Sequence, residues 1–267
     1  MMEVGIKILD ELGNVKEFVN GVDEAILVFS KEYEEGDKIV IRSSEINTYL
    51  VVQVDDAMGS FFIYLTENEA VYNIPFGEKR VALSPKVFYG DIHVLSIRVA
   101  RKEEIEAYKN LALNAIDNQT IKGVYPHASA NVETRGEAVF AASNAINGNH
   151  ENHSHGNWPY ESWGIGMRDD AELKLEFGRK VIVDKIVLYT RSDFPHDNWW
   201  TKVTFKFSDG SKLISNLDKS DKAHIIEFPK KEIYWLTFGD LIKADEPSPF
   251  PALSQIEVYG METNYSK

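Results

Sequence analysis

The chain has 267 residues, enough for one large domain or two small ones, and 43% of them are hydrophobic and 12% aromatic, as in well-packed globular proteins. Its net charge of −13 and isoelectric point of about 5.0 argue against the basic face that a nucleic-acid partner requires, and disfavour an anionic membrane surface. Cysteine is absent, which excludes disulfides and thiolate metal sites.

The N-terminal segment carries acidic residues early and has no apolar stretch long enough for a signal peptide. No later segment has the apolar length that spans a bilayer, so we expect no membrane insertion. From the sequence as written we expect a cytoplasmic protein, or an extracellular one if a signal segment once preceded Met1.

Residues 1–101 are predicted to form a β-sandwich. Short segments rich in β-branched and aromatic residues alternate with turn signals at 35–37, 57–60 and 76–78, which is the spacing of a sandwich or jelly roll. The predicted strands are 25–29, 38–42, 49–54, 61–65 and 92–99.

Residues 102–119 are predicted to form a connecting helix. Ile105, Tyr108, Leu111 or Ala112, and Ala115 recur at helical spacing, with helix-forming residues between them. Such a helix would link the first sandwich to a second domain or pack on one domain edge.

Residues 120–267 are predicted to form a second β domain, a jelly roll. Leu173, Leu175 and Phe177 alternate before Gly178, which we expect to end that strand, and further strands are predicted at 186–191, 203–207, 212–217, 223–228, 233–238 and 256–259. The Asp209-Gly210 pair predicts a hairpin. Two long loops, before Leu173 and after Arg191, interrupt this domain, and long loops in compact domains are often functional.

These two loops concentrate imidazole and indole rings. They hold His150, His153, His155 and His196, four of the seven histidines, and Trp158, Trp163, Trp199 and Trp200, four of the five tryptophans. Indole rings bury large areas, so we expect Trp163 and one of the pair Trp199 and Trp200 to pack in the interior. The remaining rings, with Tyr160, could stack on the apolar face of a sugar.

Arg191, Asp193 and Asp197 lie beside the second ring cluster. The guanidinium is a planar fork of donors and the carboxylates accept hydrogen bonds, a combination that suits the adjacent hydroxyls of a pyranose. An internal arginine–aspartate pair that braces the loop explains the same residues, and both alternatives stay open.

The histidines allow a metal site and the acids allow catalysis. Imidazole binds zinc and nickel, and His150, His153 and His155 could be joined by His196 and Asp197, although surface histidines are the simpler explanation. Acid–base chemistry could use His155, Glu161, Asp193, His196 and Asp197. Because no nucleophile elbow, phosphate loop or HExxH motif accompanies them, we expect no enzyme.

The C-terminal half carries an ordered set of short segments: Ala128-Ser129, AINGN at 145–149, Trp163, LKLEFG at 173–178, VDKI at 183–186, Arg191, FKFSDG at 205–210 and IEVYG at 256–260. In this order the set resembles the discoidin, or coagulation-factor type C, superfamily, which includes the family 32 carbohydrate-binding modules. The resemblance implies a galactose-binding-like jelly roll with ligand loops at one end.

By position, the resemblance implies a sugar site at His155, Glu161, Arg191, Asn198 and Trp158. The superfamily also often holds a structural calcium, whose carboxylate ligands correspond here to Asn147 and Gln255, with Asn149 in the same turn. Calcium affinity depends on the charge of the oxygen ligands, so two amides in place of carboxylates predict a weak calcium site at most.

Non-catalytic binding of a glycan or small sugar by the C-terminal loops is the leading hypothesis. Its predicted ligand residues are His155, Trp158, Glu161, Arg191, Asp193, His196, Asp197 and Asn198. The alternatives are a structural or protein-interaction module, whose loops brace each other while the N-terminal domain docks a partner, and a metal-dependent hydrolase. Burial of Trp158, Trp199 and Trp200 together with a saturated Arg191 would favour the bracing alternative.

Overall fold

The computed structural model describes residues 1–192 and 197–263. Its regular secondary structure is mainly antiparallel strand, with one short α-helix and a few 3-10 turns, which confirms the predicted all-β class. Within the described part of the chain, no helix has both the length and the apolar character that crossing a membrane would need.

The N-terminal region folds as two sheets packed face to face. Its strands are β1 (Glu3–Leu9), β2 (Val15–Val22), β3 (Glu24–Phe29), β4 (Lys38–Ser43), β5 (Thr48–Gln53), β6 (Phe61–Leu65), β7 (Glu69–Asn73) and β8 (His93–Val99). One sheet has the order β2-β1-β4-β7, and the other has the order β6-β5-β8-β3. Apolar side chains from the two inner faces form one core, as in a sandwich.

All five strands predicted in this region are present, and the sequence reading missed β1, β2 and β7. In β1 the signal was present, because Val4, Ile6 and Ile8 recur at every second position and all three are buried in the core. This period of two is the pattern of a half-buried strand.

The prediction of a helix over residues 102–119 is wrong for most of that segment, since only α1 (Lys102–Glu106) is helical. The following residues form β9 (Lys109–Asn110), which pairs with the last strand, and then a series of turns. In those turns the side-chain oxygens of Asn110, Asn114 and Asn118 each accept a hydrogen bond from the backbone N–H two residues later. Such local side-chain bonds compete with the helix ladder and end it.

The C-terminal region is built on one large antiparallel sheet. Its strands are β10 (Val124–Tyr125), β11 (His127–Ala130), β12 (Trp163–Gly164), β13 (Leu173–Arg191), β14 (Trp200–Phe207), β15 (Lys212–Asn216), β16 (His224–Lys243) and β17 (Ala252–Glu262). The order is β12-β17-β13-β16-β14-β15, with β11 against β13 and β9 against β17. Short 3-10 turns at Ala138–Phe140 and Ala142–Ile146 lead into the first long loop.

Gly178 does not end a strand, which corrects that prediction. The glycine lies inside β13, which is 19 residues long, and the register of β13 with β16 shifts between Glu176 and Val181. Gly178 has a φ of +68°, a conformation that residues with a side chain rarely adopt, and its missing Cβ leaves room for the ring of Tyr125. The strand therefore bends at the glycine and serves both halves of the sheet.

A buried charged cluster joins the two regions. Arg179 and Glu262 form two hydrogen bonds, at 2.8 Å from Nε and 2.5 Å from Nη2, and the guanidinium lies over the rings of Tyr49 and Tyr64. β10, from the start of the C-terminal region, pairs with β6 of the N-terminal sheet. The division into 1–101, 102–119 and 120–267 stays a prediction, but two large, separate apolar cores occur among the described residues.

Candidate functional site

Arg191, predicted to bind a ligand, is buried at the end of β13 and is 4% exposed. Its Nε and Nη2 donate to the two carboxylate oxygens of Asp197, and its Nη1 donates to Ser162 Oγ at 3.0 Å. Both predicted residues therefore meet, but they pair with each other. The guanidinium is a closed brace that ties the second long loop to the residue before Trp163.

The residues that follow Asp197 are also used internally. Asn198 donates from Nδ2 to the carbonyl oxygens of Ala244 (3.0 Å) and Ser248 (2.8 Å), and its side-chain oxygen accepts from the N–H of Trp199. Trp199 is half-buried and donates to Glu246, whereas Trp200 is in the core. Asn198 therefore anchors the loop and has no atom left for a sugar.

Trp163 lies in the interior, as expected, and its indole N–H donates to the carbonyl of Val132 at 2.9 Å. Trp158 differs, because 42% of it is exposed. Its backbone N–H donates to Val81 O at 2.9 Å, so its loop is held against the N-terminal region. His155 is exposed in the same loop. Asp193 and His196 lie outside the described residues.

Glu161 is buried beneath the turn that was predicted to bind calcium. Its Oε1 accepts from the amide nitrogens of Asn147 (2.8 Å) and Asn149 (3.0 Å), and burial raises the pKa of its carboxyl group above the usual range. Gln255 accepts from the N–H of Gly148 at 3.3 Å, while its own Nε2 is buried without a partner.

This donor set does not fit a calcium ion. Nδ2 of Asn147 and Nδ2 of Asn149 both donate to Glu161 Oε1, and the latter also donates to Pro159 O at 2.7 Å, so amide donors stand where a cation would need oxygens. Glu161 Oε2 is buried without a hydrogen-bond partner. A buried amide nitrogen at Gln255 adds a donor where a ligand oxygen is required. The turn is therefore held by side-chain amides, and its only carboxylate is Glu161.

The histidines of the first loop are spread over different partners and are not gathered around one point. The His150 ring stacks on Tyr189, with centroids 4.5 Å apart, and His153 contacts Glu151 at 2.5 Å and Asp221 at 3.2 Å. Hydrogen bonding to Glu151 raises the pKa of His153 above its ordinary value. Within residues 1–192 and 197–263, the grouping of potential metal ligands lies in the N-terminal region, away from these histidines.

An open cleft of about 380 Å³ lies beside the closed arginine pocket. Asn152 forms its base, because its buried amide donates to Thr190 O at 3.0 Å and to Asp221 O at 2.7 Å. The cleft is lined by Gly148, Asn149, His150, Glu151, Asn152, His153, Tyr189, Asp221, Lys222 and Ala223. We call these residues the loop cleft.

Sequence reasoning missed most of the loop cleft. Asn149 was named as a possible calcium ligand and His150 and His153 as possible metal ligands, but Tyr189, Asp221 and Lys222 were not named. Tyr189 carried a weak signal, because it is a polar-tipped aromatic residue that directly follows the aliphatic residues 186–188, two residues before Arg191. Asp221 and Lys222 come from a turn about 70 residues after the first loop, and no local pattern links the two segments.

A family model described as a domain of unknown function (DUF7402) matches residues 123–259. A search of curated protein sequences finds no match.

Solved structures with a similar fold include three carbohydrate-binding proteins. The family 32 CBM from C. perfringens NanJ, in complex with galactose, is 18% identical over 49% of this chain and 91% of its own, with a TM-score of 0.38. Chitosan-binding module 1 of a Paenibacillus sp. IK-5 chitosanase/glucanase is 19% identical over 57% and 98%, with a TM-score of 0.40. The lectin domain of lectinolysin, complexed with Lewis B antigen, is 17% identical over 57% and 96%, with a TM-score of 0.41. At identities and TM-scores this low, the comparison shows only that this chain is similar to these structures.

Proposed function

The chain belongs to the family of the domain of unknown function DUF7402, and we propose that this domain, matched over residues 123–259, is a non-catalytic carbohydrate-binding module. The observation that carries the proposal is the loop cleft, which opens at the end of β13 next to the closed pocket of Arg191. The ligand site thus moves from the residues predicted from sequence to a neighbouring cleft on the same loops.

The loop cleft combines a ring platform with groups of both hydrogen-bonding kinds. The stacked rings of Tyr189 and His150 provide flat apolar surface. Glu151 and Asp221 supply carboxylate acceptors, and Lys222 supplies an ammonium donor. A pyranose has an apolar face and a rim of hydroxyls that each donate and accept, so both kinds of contact are available to it at once.

The size and charge of the loop cleft narrow the ligand class. Its volume of about 380 Å³ is near the lower end of the roughly 300–1,000 Å³ of small-molecule sites, which suits one or two sugar residues. Glu151 and Asp221 are opposed by Lys222 and by His153, whose pKa is raised. This balance favours a neutral, hydroxyl-rich glycan over a strongly anionic one.

A glycan array followed by calorimetry on the best binder tests the proposal. Removing the ring platform with Tyr189→Ala should weaken binding about ten-fold, which corresponds to about 1.4 kcal/mol. Tyr234→Ala is the matched control, because Tyr234 is an exposed tyrosine of the same sheet that lies outside the loop cleft. Its affinity should equal that of the wild type.

Two results would contradict the loop cleft as the sugar site. Absence of binding at millimolar concentration across neutral and charged glycans would remove the carbohydrate proposal altogether. Affinity that survives Tyr189→Ala and is lost in Trp158→Ala would return the site to the exposed indole of the first loop.

A protein-interaction module is the second candidate, and two observations favour it. Arg191 is saturated and Trp200 is buried, as the bracing alternative requires, although Trp158 is exposed. The edge strands β2 and β3 also expose apolar side chains, including Phe18 and Ile26, and unpaired apolar edges are pairing surfaces.

Sedimentation of the 30.3 kDa chain over a range of concentrations tests self-association through these edges. A dimer that dissociates in a Phe18→Ser, Ile26→Ser variant would support the interaction module. Leu12→Ser is the control, because Leu12 is exposed in a turn outside both edge strands. A monomer at all concentrations, with no effect of either variant, would argue against pairing of two copies.

A further inference from the structure

The N-terminal sandwich holds a second group of polar side chains, far from the loop cleft in sequence. Asp55 and Asp56 follow β5, and His93 is the first residue of β8. One potential ligand atom from each of the three lies within 4.8 Å of the other two. Asp55 and His93 are buried, whereas Asp56 is exposed and opens the group to solvent.

Both ring nitrogens of His93 face hydrogen-bond acceptors. Its Nε2 lies 3.0 Å from the carbonyl oxygen of Gly90, and its Nδ1 lies 3.1 Å from Oδ2 of Asp55. Both partners are acceptors, but a neutral imidazole carries a single N–H. When that hydrogen is on Nε2, the lone pair of Nδ1 faces a carboxylate, and only a proton or a metal cation between them makes the contact favourable.

The contact to Gly90 is the arrangement that orients histidine ligands of metals. Such histidines usually donate the second ring N–H to a carbonyl or carboxylate, which fixes the tautomer and turns the other nitrogen towards the ion. Two ligands about 2.0–2.2 Å from a tetrahedral zinc ion lie roughly 3.3–3.6 Å apart. The 3.1 Å between His93 Nδ1 and Asp55 Oδ2 is shorter than this by about 0.2 Å, so a small outward shift of either side chain would admit the ion.

Asp55 is held in place before any ion arrives. Its Oδ1 accepts from the N–H of Ala57 at 2.9 Å, and its Oδ2 accepts from the N–H of Phe88 at 3.1 Å. Asp56 accepts from the N–H of Val94 at 3.1 Å. Both carboxylates are thus fixed by backbone donors from either side of His93, so little side-chain ordering is needed on binding.

Tyr33 is an independent sign of an additional group at this point. It is 7% exposed, its ring lies 4.4 Å from the His93 ring, and its hydroxyl is buried without a hydrogen-bond partner. A buried unpaired hydroxyl is costly, and a metal-bound water beside His93 would supply a partner.

We propose that Asp55, Asp56 and His93 bind one divalent transition-metal ion of the zinc class at this end of the N-terminal sandwich. One imidazole and two carboxylates are ligands that zinc accepts, and three protein ligands leave a coordination position for water. The proposal is independent of glycan binding, because its residues share no contact with the loop cleft.

Calorimetric titration of zinc chloride into the untagged, chelator-treated full chain tests the proposal. We expect one zinc per chain, with protons released on binding if the metal replaces the proton of an imidazolium. Asp56→Asn should weaken binding at least ten-fold, and it should leave the fold intact because Asp56 is exposed and the amide oxygen can still accept from Val94. Asp91→Asn removes a neighbouring exposed acid and should change nothing.

A second variant separates this site from the exposed histidine–carboxylate group of the loop cleft. His153→Gln removes the imidazole that contacts Glu151 and Asp221. Stoichiometric zinc that is lost in His153→Gln and retained in Asp56→Asn would overturn the proposal. Absence of stoichiometric zinc would overturn it as well, and would identify the Asp55–His93 contact as a proton-bridged pair.

Discussion

Asp197→Asn is the perturbation that separates a brace from a ligand group at Arg191. The substitution keeps the shape of the side chain and removes its charge, leaving a buried guanidinium that is 4% exposed without its counter-ion. Breaking a buried pair by removing one partner costs about 3–5 kcal/mol, because the remaining charge is uncompensated. Since Ser162 still accepts one hydrogen bond and asparagine keeps one acceptor oxygen, we expect about 3 kcal/mol.

Urea unfolding followed by tryptophan fluorescence measures this cost. All five tryptophans lie between residues 158 and 235, so the signal reports the C-terminal region alone. With a urea dependence of about 2 kcal/mol per molar, a loss of 3 kcal/mol lowers the midpoint by about 1.5 M. Arg191→Met combined with Asp197→Leu should recover much of the loss, since an apolar pair replaces the ion pair.

An exposed pair in the same region provides the control. Arg168 and Asp170 form the same two-bond geometry at the surface, at 2.7 and 2.5 Å. Solvent screens exposed pairs and leaves them little net contribution to stability, so Asp170→Asn should leave the midpoint nearly unchanged. If Asp197→Asn left the midpoint unchanged and abolished glycan binding, Arg191 would be a ligand group and the bracing argument would be refuted.

Three further substitutions each test one contact of the structure. Glu262→Gln should destabilise the chain by about 3 kcal/mol in urea unfolding, because it leaves a buried guanidinium unpaired between the two regions; an unchanged midpoint would contradict that role. Gly178→Ala should cost at least about 1 kcal/mol in the same assay, since a Cβ at a φ of +68° would meet the ring of Tyr125. Glu151→Gln should lower the pKa of His153 towards its ordinary value, as followed by NMR titration. With Glu151 present, the charged contact contributes fully to stability below the ordinary pKa of histidine, and this contribution is lost as the pH rises through the raised pKa of His153. The same His153 pKa in the wild type and in Glu151→Gln would refute the pairing.

The strands were predictable because their information is local. Residues 203–207 and the Asp209-Gly210 turn predict a hairpin, and the structure has it, with Gly210 N–H bonded to Phe207 O at 2.9 Å. Alternation also predicts which side chains are buried, as it does for Leu173, Leu175 and Phe177.

The prediction of the connecting helix was wrong because the periodicity of apolar residues gives no information about long-range contacts. Leu111 and Ala112 join the C-terminal core and Ile116 joins the N-terminal core, so apolar residues at helical spacing serve two different cores. Asn110 bonds to the backbone of Val258, about 150 residues later, as well as to that of Ala112. A long-range partner of this kind is invisible in a local window and overrides helical propensity.

The sequence predicted residues of the candidate site, but not whether their side chains face the interior or the solvent. The sequence places Arg191 near Asp197, and the structure pairs them, but Ser162 arrives from another loop and completes the closure. Whether a guanidinium faces inwards or outwards depends on such distant acceptors. The same limit hid the loop cleft, whose base needs Asn152 to meet Asp221 across 69 residues.

The closed brace and the open loop cleft depend on each other physically. Asn152 fastens the first loop to Thr190, next to Arg191, so the cleft walls are ordered without a ligand and binding need not supply that ordering energy. A sugar in the cleft would stack on the His150–Tyr189 pair, whose own stacking contributes about 0.5–1.5 kcal/mol and is present without a ligand. The rings supply affinity that different sugars share, so discrimination between glycans must come from the charged groups at the rim. Selectivity should consequently depend on hydroxyl geometry more than on apolar surface.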